Sequence, residues 1–262
     1  MIKTKKSLGQ NFLTDKFIIS RIIETVNPKK EEVFFEIGSG KGDLTKGLIS
    51  RAKSIQSVEI DKDLVPYLKK IESSSTNLVI LENSVLKIDL KKLSKGKSKF
   101  RVIGNLPYNL SSKIMLWTFK NSTQIIDIHY MFQKEFGQRL VSTPGKKTYG
   151  RLSVLTQYMF SSRELFTILP ESFTPVPSVE SVFIRLQPKP KKDINSLEAI
   201  QLQELTKLMF SKRRKKISNS CKDLLQPKEF INLGIDPDDR PESLEVNDFL
   251  KLSKYLSNQK HG

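Results

Sequence analysis

The sequence predicts an α/β fold followed by a small C-terminal α-helical domain. Three observations carry this reading. Short apolar runs alternate with stretches of helical spacing from residue 15 to residue 132. A connector rich in proline and lysine, residues 187–193 (QPKPKKD), then breaks the pattern. Beyond it only helical periodicity remains. Strands alternating with helices build βαβ units and a mostly parallel sheet.

In chain order, residues 15–26 place Ile18, Ile19, Ile22, Ile23 and Val26 at helical spacing. Strands are expected at 33–37 (VFFEI), 55–60 (IQSVEI), 78–81 (LVIL), 100–103 (FRVI) and 125–132 (IIDIHYMF). Each run is short, β-branched or aromatic, and bounded by turn residues. Between them Leu44, Leu48 and Ile49, then Leu64, Leu68 and Ile71, repeat at helical spacing. Two later runs, 164–169 (ELFTIL) and 181–186 (SVFIRL), enclose Pro170, Pro175 and Pro177. Too little chain separates them for a crossover helix, so they read as an antiparallel hairpin at the sheet edge. After the connector, Leu202, Leu205 and Met209, then Phe210, Ile217, Cys221 and Leu224, are helical. Residues 1–188 therefore read as one domain and 189–262 as a second.

The 262 residues include 45 Lys and Arg against 28 Asp and Glu, a formal charge of +17. Such a surplus suits a polyanion, whose condensed counterions are released as phosphates are neutralised. The single cysteine, Cys221, excludes an internal disulfide and the Cys₄ and Cys₂His₂ zinc sites. Two histidines, His129 and His261, leave little for an imidazole metal centre, so no metal is expected. No apolar run approaches the ~18 residues of a membrane helix, and no apolar segment follows the basic N-terminus. The expectation is a cytoplasmic monomer away from membranes. His129, Trp117 and Cys221 read as structural.

The first strand runs into Gly38-Ser39-Gly40-Lys41-Gly42 with a helix to follow. Glycines there allow a tight turn and close approach of backbone to ligand. Glu59 stands 21 positions beyond Gly38, at the end of the next strand, placed to accept from ribose hydroxyls. A dinucleotide fingerprint needs glycine at position 43, which is Asp43. G-x-G-x-G favours a ligand without a pyrophosphate, and adenosine joined to an amino acid, S-adenosylmethionine (SAM), fits. Gly38, Gly40 and Glu59 are thus candidate cofactor contacts.

The fourth strand leads to Asn105-Leu106-Pro107-Tyr108. An exocyclic amine is a poor nucleophile because its lone pair is delocalised into the base. It improves when acceptors hold its protons and draw the nitrogen towards tetrahedral geometry. The Asn105 amide carbonyl and a neighbouring backbone carbonyl can do this, Pro107 stiffens the turn, and Tyr108 offers a stacking face for an extruded base.

With these motifs in view, the sequence resembles the KsgA/RsmA family of small-subunit rRNA adenine N6,N6-dimethyltransferases. The resemblance runs almost end to end. Residues 9–13 (GQNFL) are similar to its N-terminal cofactor motif, 36–45 (EIGSGKGDLT) to its first methyltransferase motif and 58–61 (VEID) to its second. Asn105 to Tyr108 resemble its catalytic loop, 173–181 (FTPVPSVES) its F-x-P-x-P-x-V-x-S motif, and 210–219 and 234–244 its C-terminal domain. The resemblance implies a Rossmann-like SAM-dependent methyltransferase domain. It also implies transfer of four methyl groups to two adjacent adenosines near the 3′ end of 16S rRNA in the small subunit, in ribosome biogenesis. It implies that Asn11, Leu13, Gly38, Glu59 and Asn105 contact SAM. Asn105, the carbonyl of Leu106 and Tyr108 would handle the base, with Phe173 stacking on its far side. The family usually places Asp where this chain has Ser84, so a weaker neutral hydrogen bond to the adenine amine of SAM is expected there.

Lys212-Arg213-Arg214-Lys215-Lys216 forms a run of cations, read as helical and as an RNA backbone contact, with Lys3, Lys5 and Lys6 as a second cluster. Two other functions stay in view. One is the related large-subunit (23S) adenine N6-methyltransferase of antibiotic resistance, set second because the 212–216 run and the RPESL segment from Arg240 resemble the small-subunit enzyme. The other is a non-catalytic RNA-binding assembly factor, against which the intact Asn105 loop argues.

Overall fold

Alternating strand and helix segments build nine strands and eleven α-helices among the residues described by the structure, a computed structural model covering Lys5 and residues 9–190, 196–212 and 214–260. The strands are β1 (Phe12–Leu13), β2 (Val33–Ile37), β3 (Ser54–Glu59), β4 (Leu78–Glu82), β5 (Phe100–Asn105), β6 (Ile125–Gln133), β7 (Phe160–Ile168), β8 (Phe173–Thr174) and β9 (Ser181–Pro188). The helices are α1 (Lys16–Val26), α2 (Asp43–Ile49), α3 (Val65–Ser73), α4 (Leu90–Leu93), α5 (Ser111–Asn121), α6 (Lys134–Val141), α7 (Arg151–Met159), α8 (Ser196–Ser211), α9 (Ile217–Ser220), α10 (Pro227–Asn232) and α11 (Val246–Lys260). Arg213, Lys3, Lys6 and His261, named above, lie outside the described residues.

Seven strands form one sheet in the order β4-β3-β2-β5-β6-β9-β7. Strands β4 to β6 pair in parallel, β9 runs antiparallel to β6, and β7 takes the edge beside β9. The central strands are nearly continuous in apolar residues because such a sheet is covered on both faces. Phe34, Phe35, Ile37, Val102 and Ile103 are all buried. The chain winds outward from β2 through β3 and from β5 through β6, so the order reverses between β2 and β5. Ligands of open α/β sheets bind beyond the carboxyl ends of strands at such a switch point.

Helix α1 starts where Asp15 accepts from the N–H groups of Phe17 and Ile18, a side-chain cap. It stops at Asn27 in the left-handed region. Helix α5 buries Ile114, Met115, Trp117 and Phe119, with Trp117 stacked on Phe35 at 5.7 Å. Strands β1 and β8 form a separate two-stranded sheet, with Phe12 opposite Thr174 and Leu13 opposite Phe173.

The chain divides into two units. The first is Met1–Gly137 with Arg163–Pro188, and the second is Gln138–Ser162 with Lys189–Gly262. The second therefore takes in Gln138–Ser162, which the sequence pattern grouped with the first domain. Its helix α7 packs on α8 and α11. Tyr158 donates to Glu198 at 3.1 Å, and the rings of Tyr149, Phe210 and Phe249 form a contiguous row. The cation run is not helical as expected: α8 ends at Ser211 and α9 begins at Ile217, so its described members occupy the turn between. The N–H of Lys215 donates to the Lys212 carbonyl in that turn.

Candidate active site

Strand β2 ends at Ile37, and the chain turns through Gly38, Gly40 and Gly42 at φ of 71°, 58° and 73°. Only glycine adopts such angles without strain. Below this loop Glu36 is buried and accepts from the hydroxyls of Thr45 and Ser57, each at 2.6 Å, and Ser57 in turn meets Ser39. Burial drives the Glu36 carboxyl above its ordinary pKa, with the two hydroxyls opposing. Glu59 closes the far wall. One of its oxygens accepts from the Gly40 N–H at 2.9 Å, and the other from the N–H groups of Ile60 and Asp61 at 2.8 Å. Burial raises its pKa as well, against those three N–H groups. A carboxylate has about four acceptor positions, so capacity remains on the cavity side.

Strand β5 delivers the second loop. Asn105 Nδ2 donates to the Asn11 backbone carbonyl at 2.8 Å. That bond fixes the amide's orientation and leaves Oδ1 as an acceptor. The Tyr108 hydroxyl lies 2.6 Å from that of Ser181, the buried first residue of β9, which sets the plane of the tyrosine ring. Burial holds the Tyr108 phenol above its ordinary pKa, with Ser181 opposing. The N-terminal segment is tethered at Asp61, which accepts from Gln10 Nε2 at 2.7 Å and from Lys5. Burial pushes Asp61 up, but those two donors outweigh it and hold its carboxyl below the usual value.

One cavity of the first unit joins these groups. Asn11, Leu13, Gly38, Gly40, Glu59, Ser84, Asn105, Leu106, Pro107 and Tyr108 all line it. Phe173 does not. It is 1% exposed, paired opposite Leu13 and buried in the apolar core, so no ring face is open to a base. Lys212, Arg214, Lys215 and Lys216 lie in the second unit, all exposed, and Lys216 pairs with Asp238 at 2.6 Å. Sequence reasoning missed the Asn11 carbonyl, Ser181 and the Gln10–Asp61 tether. Their signal lay inside the quoted motifs, but their partners are distant in sequence. No group of three or more His, Cys, Asp or Glu among the described residues could hold a metal ion. No described helix is long and apolar enough to cross a membrane.

A cavity at the switch point of a doubly wound sheet, with a buried acid at the second strand end and an oriented asparagine acceptor at the fourth, defines a nucleoside-dependent methyltransferase. The chain belongs to the ribosomal RNA adenine dimethylase family, which it matches over residues 1–258. It is a SAM-dependent rRNA adenine dimethyltransferase. It is 39% identical over 253 residues to ribosomal RNA small subunit methyltransferase A of Dechloromonas aromatica (strain RCB), covering 97% of this chain and 98% of that one. The Coxiella burnetii (strain RSA 493) protein of the same name shows the same identity and coverage. Among solved structures, a dimethyladenosine transferase from Plasmodium falciparum superposes with a TM-score of 0.81 at 24% identity, covering 95% of this chain and 98% of that one. The 23S rRNA methyltransferase ErmE gives 0.72 at 23%, covering 94% and 100%. These two likenesses show the shared fold.

Proposed function

We propose that the chain dimethylates N6 of two adjacent adenosines near the 3′ end of 16S rRNA in the small ribosomal subunit, acting as a cytoplasmic monomer during ribosome biogenesis. The observation that carries this reading is the Asn105 amide in the cavity wall, its Nδ2 held by the Asn11 carbonyl so that Oδ1 is left as an acceptor. The relatives named small subunit methyltransferase A support the choice of subunit.

The cavity suits SAM on the chemistry of its donors and acceptors. Glu59 offers a carboxylate to a ribose, and Gly38 leaves open the space that a side chain would fill beside the Asn105 carbonyl, 3.7 Å from a Cβ built there. When bound, SAM would supply the methyl group from a sulfonium and take up the electron pair at sulfur. In our reading Asn105 Oδ1 and the Leu106 carbonyl accept the two amine protons and free the nitrogen lone pair. Tyr108, braced by Ser181, stacks on the base. The proton released from the amine would pass from the Asn105 and Leu106 acceptors to water. Gly38, Gly40, Asn11, Leu13 and Ser84 form the cofactor wall. Lys212, Arg214, Lys215 and Lys216, with Arg213, meet the phosphate backbone.

The test is transfer of labelled methyl groups from SAM to small subunits that lack the modification, compared with large subunits. Label in two adjacent adenosines of the small subunit alone is expected. Label in large subunits alone would overturn the assignment.

A further inference from the structure

The first unit holds a second cavity that shares no lining residue with the first. It lies between α1 and the strands β5, β6, β9 and β7. Its floor is set towards the amino-terminal half of the parallel strands, where Arg101 is the second residue of β5 and Asp127 the third of β6. Register explains the assembly. Arg101 stands opposite Asp127, and His129, two residues on and so on the same face, stands opposite Arg185.

Four guanidiniums face this cavity, Arg21, Arg101, Arg163 and Arg185, against two carboxylates, Glu32 and Asp127. Both carboxylates are already committed. Buried Asp127 accepts from Arg101 Nε and Nη2 at 2.8 and 3.0 Å and from Arg185 Nη2 at 3.1 Å. Glu32 accepts from Arg101 Nη1 at 2.8 Å. These bonds commit the two carboxylates to Arg101 and Arg185 and leave Arg21 and Arg163 in surplus. Arg185 Nε is buried without an acceptor. The His129 side chain is 2% exposed, and its Nδ1 has no hydrogen-bond partner, the Asp127 oxygen being 3.8 Å away. Burial holds His129 down at about 4, against the pull of Asp127, so its ring is neutral at physiological pH and Nδ1 can carry a proton to donate. Arg21 lies over the Phe166 ring at 4.0 Å, and neither Arg21 nor Arg163 has a carboxylate partner among the described residues.

Buried donors without acceptors are rare in folded proteins, because each forfeits its hydration without replacement. An incoming oxyanion supplies what Arg185 Nε and His129 Nδ1 lack. Guanidinium forks match tetrahedral oxyanions two N–H groups at a time. We propose that this cavity is a second anion site that takes a phosphoryl group, from a free phosphate compound or from an RNA phosphodiester, with Arg21, Arg163 and Arg185 as the binding cations and His129 as a neutral donor.

The experiment titrates the whole protein in chloride buffer with inorganic phosphate and, separately, with oligouridine, which offers phosphodiesters but no adenine. The readout is the imidazole NMR signal of His129, in a chain whose only other histidine is His261. A saturable shift of His129 is expected. In Arg163→Ala and in Arg21→Ala, both exposed positions, the affinity should fall about tenfold, as for loss of one charge-assisted hydrogen bond. SAM affinity should be unchanged in both. The probe that binds more tightly identifies the source, free phosphate or phosphodiester. A His129 signal that moves with neither probe, or that moves equally in the variants, would overturn the proposal.

Discussion

Asn105 holds two positions in one side chain: its Nδ2 is bound to Asn11, and its Oδ1 is left as the acceptor we propose for the substrate amine. Asn105→Ala removes both, yet the N-terminal segment stays tethered through Gln10 to Asp61 and through β1 to β8. Methyl transfer should fall by about 10²–10³-fold or more, as for loss of one preorganised polar group at a reacting centre. Binding to small subunits should stay nearly intact, and lost binding would make the loop structural. Ser84 is the complementary case. It lines the cavity as a neutral hydroxyl where the family pattern has an acid. Ser84→Asp should tighten SAM binding by about tenfold in calorimetry, the difference between a neutral and a charge-assisted hydrogen bond. An unchanged affinity would mean that another group already serves the adenine amine. Asn105 was legible in the sequence because it stands at a strand end, where α/β sheets gather their chemistry, and Ser84 only through the family resemblance. Phe173 was misplaced because its burial depends on a two-residue pairing with Leu13, and such a short strand leaves no period to read.

Glycine inside a strand usually weakens it, and Gly104 stands in the middle of the sheet, one residue before the Asn105 loop. A Cβ there would meet the Ile37 carbonyl oxygen at 2.7 Å and the Leu106 side chain at 2.9 Å. Its absence lets β5 close on the end of β2, which brings the Asn105 and Gly38 loops to one cavity. Gly104→Ala should destabilise the protein by about 1–3 kcal/mol in denaturant titration, the usual cost of overpacking, and lower transfer with it. An unmoved midpoint would show slack between the two strands. Short β-branched and aromatic runs with flanking turn residues were read as strands to within a few residues, β2 among them. Helix α5 was not, because it buries residues on most of its circumference and so lacks an apolar stripe. The cation turn failed for another reason. Lys and Arg are good helix formers, and helix propensity does not register that like charges crowded along one turn repel.

At the scale of the molecule, a connector of prolines and lysines announces itself in one sequence, whereas the grouping of Gln138–Ser162 with the second unit is a tertiary contact and does not. Charge works across the same range. The surplus of +17 attracts any polyanion, so the question is how much of the RNA attachment is local. Lys216 already shares its charge with Asp238, while Lys212, Arg214 and Lys215 are exposed, with no carboxylate partner among the described residues. Each cation that neutralises a phosphate of single-stranded RNA adds about 0.7 to the slope of log K against log salt. The triple variant Lys212→Ala, Arg214→Ala, Lys215→Ala should therefore flatten that slope by up to about 2, leaving SAM affinity as it was. A slope unchanged in the variant would mean that the diffuse positive field, and not this turn, holds the RNA.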